Sequence, residues 1–137
     1  MDNQNVPGFI SIDDDLEFNM ITDFTIKAVH KDAEVHTFSQ PEKGLEFIEG
    51  MPVDSDDWYI LLLDINMPTL SGWEVLEKIK ILDKKILNRL KIFVLSSSVS
   101  LRDKELADKN PLVSGFIEKP LRKASLKEIL GLCGIEV

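Results

Sequence analysis

The chain has 137 residues, 44% of them hydrophobic and 29% charged, which suits one folded domain with its own core and excludes a largely disordered chain. Its formal net charge of −8 repels phosphate backbones, so nucleic acid is not an expected partner. The longest apolar runs are strand-sized, too short to cross a bilayer, and the first residues show no basic segment ahead of an apolar one, so neither a membrane anchor nor a signal peptide is expected.

In chain order, 8–12 is an apolar run stopped by Asp13, Asp14 and Asp15. Leu16, Met20, Phe24 and Ala28 recur at every fourth residue, which predicts a helix with those side chains on one face and Asp15 as its cap. Residues 34–38 alternate loosely as a second strand. Pro41 suits a helix's first turn, Leu45 and Ile48 follow on one face, and Gly50 and Pro52 end it. Residues 58–63 form a continuous apolar run closed by Asp64, and Gly72 opens a helix carrying Val75, Leu76, Ile79 and Leu82. The stretch 83–90 is longer than such a connection needs, and either extends the preceding helix or packs as an extra turn. Residues 91–95 are a fourth run, closed by Ser96-Ser97-Ser98. Residues 101–109 read as a polar helix stopped by Asn110-Pro111. Residues 113–117 are a fifth run, closed by Glu118-Lys119-Pro120, and Ser125 is placed to cap a last helix with Leu126, Ile129 and Leu130. Runs that are apolar at nearly every position mark strands buried on both faces, and the β-α alternation predicts a parallel sheet covered by helices. The single cysteine, Cys133, excludes an intrachain disulfide, fits a reducing cytoplasmic compartment, and reads as a small buried hydrophobe.

In an open parallel sheet, ligands bind beyond the carboxyl ends of the strands. That edge collects Asp13, Asp14, Asp64, Ser96 and Lys119. Neighbouring carboxylates resist full ionisation, and a hard divalent cation such as Mg²⁺ relieves the repulsion. Lys119 adds a compact positive charge and Ser96 a hydroxyl donor. Such a set suits charge on a transferring phosphoryl group, with the Asp64 carboxylate as nucleophile.

Four segments in order, Ile12-Asp13-Asp14-Asp15, Leu61 to Pro68 with Gly72, Val94-Leu95-Ser96-Ser97 and Phe116 to Pro120, resemble the receiver domain of two-component response regulators (CheY-like), over about 6–132. The resemblance implies a flavodoxin-like (βα)5 three-layer sandwich with a five-stranded parallel sheet of order 2-1-3-4-5. It implies one receiver domain over 1–137 without an output domain, acting through a sensor histidine kinase or histidine phosphotransfer protein and a downstream protein. Asp64 is then the phosphoacceptor. Asp14, Asp64 and the backbone carbonyl of Asn66 hold Mg²⁺, for which Mn²⁺ can substitute, with Asp13 acting through water. Ser96 and Lys119 contact the phosphoryl group, Phe116 and Ser96 are the switch pair, and the Lys119-Pro120 bond is cis. Ser96, Ser97 and Phe116 stand where threonine, alanine and tyrosine are common, and Asn66 and Ser98 occupy positions that influence hydrolysis of the acyl phosphate.

Plainer readings accompany these. Asp15 is a helix cap, Phe116 is also a core residue, His30 and His36 are not ligands, Trp73 is partly exposed near the pocket, and Trp58 is structural. Two other functions compete: a haloacid-dehalogenase-like phosphatase, which needs an acid where Asn66 stands, and a phosphorylation-independent interaction module.

Overall fold

The structure, a computed structural model, describes residues 6–98 and 100–135. Five parallel strands, β1 (Gly8–Ile12), β2 (Val35–Phe38), β3 (Tyr59–Asp64), β4 (Leu90–Ser96) and β5 (Val113–Glu118), lie in the order β2-β1-β3-β4-β5. The helices are α1 (Leu16–Val29), α2 (Pro41–Glu49), α3 (Gly72–Lys80), α4 (Lys84–Leu87), α5 (Leu101–Lys109) and α6 (Lys123–Leu132). Successive strand residues point to opposite faces, so every central strand feeds two cores. Ile10, Ile12, Leu61, Leu63, Ile92 and Val94 join residues of α2 and α3 on one side. Phe9, Ile60, Leu62, Phe93 and Leu95 join Ile26 of α1 and Leu126, Ile129 and Leu130 of α6 on the other. This is the expected flavodoxin-like (βα)5 sandwich with order 2-1-3-4-5.

The face of α1 differs from expectation. Leu16, Met20 and Phe24 are 67%, 71% and 76% exposed, while Asn19, Thr22, Thr25 and Ile26 are buried. Polar residues can be buried when their hydrogen bonds are made. Asn19 donates from Nδ2 to the carbonyls of Asp13 (2.8 Å) and Phe38 (3.3 Å) and accepts from Ser11 Oγ (2.8 Å). Thr25 Oγ1 donates to Leu121 O at 3.4 Å. The apolar stripe therefore faces outward because a satisfied polar face holds the helix to the sheet. Asp15 does cap α1, accepting from Glu17 N–H at 2.9 Å.

Two other boundaries shift. The last helix starts at Lys123, with Leu126 N–H already bonded to Arg122 O at 2.9 Å, so Ser125 lies inside its first turn and does not cap it. The stretch from Asp83 forms an extra turn before β4 begins at Leu90: Asp83 caps α4 by accepting from Lys85 N–H at 2.8 Å, and Ile86 is buried in the core. The Arg89 guanidinium donates to the carbonyls of Asp57 and Pro52, tying this turn to the loop before β3. The half-buried Trp58 packs on the α1/α6 side and Trp73 on the α2/α3 side. Cys133 is half-buried against the α1/α6 core, which pushes its thiol pKa up. Among the described residues no helix is long and apolar enough to cross a membrane.

Candidate functional site

The carboxyl ends of β1, β3, β4 and β5 meet at one edge, and main-chain bonds fix how they meet. Asp13 N–H donates to Phe38 O (3.0 Å), Ile65 N–H to Leu95 O (3.2 Å) and Lys119 N–H to Ser96 O (2.8 Å). Asp64 closes β3 and Ser96 closes β4. The Lys119-Pro120 bond is cis. Oxygen atoms of Asp13, Asp14 and Asp64 all lie within 4.8 Å of one another, with Asp14 exposed and the other two buried.

Each side chain has a defined partner. Lys119 Nζ is 2.8 Å from Asp13 Oδ2 and 3.6 Å from Asp64 Oδ2. Asp13 Oδ1 accepts from Asp15 N–H at 2.9 Å. Asp64 Oδ1 accepts from Asn66 N–H at 3.1 Å. Asp64 is only 4% exposed, and that burial is the main cause of a pKa raised to about 7. The bond from Asn66 opposes the rise, the nearby Asp13 carboxylate adds to it, and Lys119 opposes it. A buried carboxyl so reluctant to ionise beside two more carboxylates is a donor set that a hard, oxygen-seeking dication fits.

Ser96 is fully buried. Its hydroxyl donates to Ser98 O at 2.7 Å and accepts from Ser98 N–H at 3.2 Å and from Asn66 Nδ2 at 3.3 Å. A hydroxyl has one proton, so Ser96 must turn away from Ser98 before it can donate to any group on Asp64. Phe116 is half-buried and packs on the α2/α3 side of the sheet. It pairs in register with Val94, two positions before Ser96, and so shares that serine's face.

Two neighbours of the pocket escaped the sequence reading. Phe18, in the first turn of α1, places its ring centroid 3.9 Å from Lys119 Nζ. Asn19, next to it, anchors the carbonyl of Asp13. Neither follows an apolar run, and their partners are set by topology rather than by spacing. His36 lies away from the pocket, against Glu34 at 2.5 Å and the Phe47 ring.

Fold and site together define a class: a parallel α/β domain whose carboxyl edge holds a buried aspartate, two further carboxylates and a lysine. The family model described as response regulator receiver domain matches residues 9–131, and the chain belongs to that family. Solved structures with this fold include a response regulator receiver protein from Dyadobacter fermentans (24% identity, TM-score 0.86, covering 96% of this chain and 100% of that one). A two component response regulator from Cytophaga hutchinsonii is similar at 24% identity and TM-score 0.85, covering 96% of this chain and 99% of that one. Among curated proteins, a hybrid signal transduction histidine kinase L from Dictyostelium discoideum is 34% identical over 76 residues, 55% of this chain but 4% of that protein. The family places the chain in two-component signalling. Membership of that family sets aside the phosphatase reading, which needs an acid where Asn66 stands.

Proposed function

We propose that this receiver is a phosphoacceptor switch in a two-component system or phosphorelay, with Asp64 taking the phosphoryl group of a phosphohistidine on a sensor kinase or histidine phosphotransfer protein. The observation that carries this reading is the buried Asp64 carboxyl beside Lys119 and the Asp13/Asp14 pair. Asp14, Asp64 and the Asn66 carbonyl would hold Mg²⁺ or Mn²⁺, with Asp13 acting through water. The dication, when bound, neutralises the cluster and charge on the phosphoryl oxygens. An Asp64 oxygen attacks phosphorus, the phosphorus–nitrogen bond breaks, and the imidazole nitrogen keeps the electron pair. Lys119 steadies the new negative charge, and Ser96, once released from Ser98 O, donates to a phosphoryl oxygen while Phe116 moves into the space behind it. A partner then reads the surface of α5, β5 and α6, or a second histidine takes the group onward. The protein acts as a switch and not as a turnover enzyme, and is expected in the cytoplasm.

The apolar stripe of α1 supports a protein donor. It starts at Leu16, two residues past Asp14, so a surface seated there lies beside the pocket rim.

The test is intact-protein mass spectrometry after incubation with acetyl phosphate, with and without Mg²⁺, on wild type and Asp64→Asn. One phosphoryl mass gain that needs both Mg²⁺ and Asp64 is expected. A gain that persists in Asp64→Asn, or none in wild type at any time point, would overturn the reading.

A further inference from the structure

We propose that Phe18 is a positioning residue for this chemistry: its ring face holds the Lys119 ammonium between the Asp13 and Asp64 carboxylates. The inference rests on the phosphoacceptor reading and assigns a role to a side chain outside the acidic cluster.

Lys119 carries its charge on a long, flexible stem, yet its side chain is only 6% exposed. A buried ammonium needs compensation on every side. Two carboxylates, at 2.8 Å and 3.6 Å, supply it from the strand ends. The Phe18 ring, 3.9 Å from Nζ at its centroid, supplies it from the helix, because the face of an aromatic ring is electron-rich. The backbone that carries the ring is anchored. Phe18 precedes Asn19, whose amide locks the first turn of α1 to the carbonyls of Asp13 and Phe38. The backbone of Lys119 is fixed as well, by its N–H bond to Ser96 O.

Lys119 now sits nearer Asp13 than Asp64. A phosphoryl group on Asp64 adds negative charge on that side, and the ammonium must follow it. An aromatic face has no directional acceptor, so Nζ can slide across it without taking on a water shell. Leucine at 18 would fill similar space but offer no electron-rich face.

The experiment compares wild type, Phe18→Leu and Phe18→Tyr, each as the full chain with saturating Mg²⁺. The initial rate of phosphoryl gain from acetyl phosphate is expected to fall about threefold to tenfold in Phe18→Leu and to stay within about twofold of wild type in Phe18→Tyr. Proton–carbon NMR of wild type supplies a readout independent of any variant's folding: the Lys119 ε-methylene protons should be shifted upfield by the ring current. A Phe18→Leu rate equal to wild type, a Tyr variant as slow as the Leu variant, or no upfield shift would each overturn the proposal while leaving Asp64 as acceptor. No phosphoryl gain in wild type would overturn the phosphoacceptor reading and this role with it.

Discussion

A Cβ added to Gly72 would lie 2.6 Å from Asp64 O and 2.7 Å from Ile65 Cα, both backbone atoms that cannot swing aside. Gly72 is not in a left-handed conformation, since Gly134 alone among the described residues has positive φ. Without the contact, Gly72→Ala would stabilise by about 0.4–1 kcal/mol through the unfolded chain. The clash should reverse that sign, and a net loss of about 1–3 kcal/mol in urea unfolding is expected, as for overpacked sites. A stabilised variant would show that α3 can retreat from β3 freely. Gly72 was legible as a helix start, but its reason for being glycine was not, because the neighbour it must clear is the strand end carrying Asp64. Ser96 was similarly half legible. Its place at a strand end follows from the apolar run before it, whereas its engagement with Ser98 O and Asn66 Nδ2 depends on how the following loop folds.

At the scale of elements, the three inner strands, the edge strand β5 and most helices could be read because a run of apolar residues or a capping residue marks each one. The segment α1 shows where such reading fails. Periodicity reports which residues are apolar, and burial normally follows, but Asn19 and Thr25 are buried with their hydrogen bonds made and displace the apolar stripe to the surface. The turn α4 was left open between two forms because its one deeply buried side chain, Ile86, is too little pattern to choose between them. Since Met20 and Phe24 are largely exposed, Met20→Asp with Phe24→Asp should change unfolding free energy by less than about 1 kcal/mol, near twice the usual surface limit. Labelling by acetyl phosphate should be unchanged. Labelling by any phosphohistidine protein that modifies wild type should slow by tenfold or more on the order expected for losing an apolar anchor. Equal slowing with both donors would show instead that α1 acts on the pocket and not on the donor.

For the whole molecule, the acidic pocket sets how stability depends on pH. Asp64 has a pKa raised from 3.8 to about 7 in the folded state, chiefly by burial. Between those values the folded chain binds a proton that the unfolded chain has released, so unfolding free energy falls as pH rises through that window and levels off above it. The stabilising proton is fully present in both states below the lower value, where the contribution no longer changes. Asp64→Asn keeps the shape and removes the titration. Without metal at pH 8, Asp64→Asn should therefore be more stable than wild type by on the order of a few kcal/mol, and the difference should shrink toward pH 4. The formal charge of −8 is a background that both proteins largely share, so it cancels in the difference. Mg²⁺ should act in the opposite direction, raising wild-type stability by about 2.7 kcal/mol at a hundredfold excess over its dissociation constant and raising that of the variant less. Urea unfolding of both proteins at several pH values, with and without Mg²⁺, measures each arm. Parallel curves from pH 4 to 8 would mean that Asp64 is ionised throughout in the folded chain, and that the burial of its carboxyl is offset by Lys119 and the Asn66 N–H more fully than the geometry of the pocket implies.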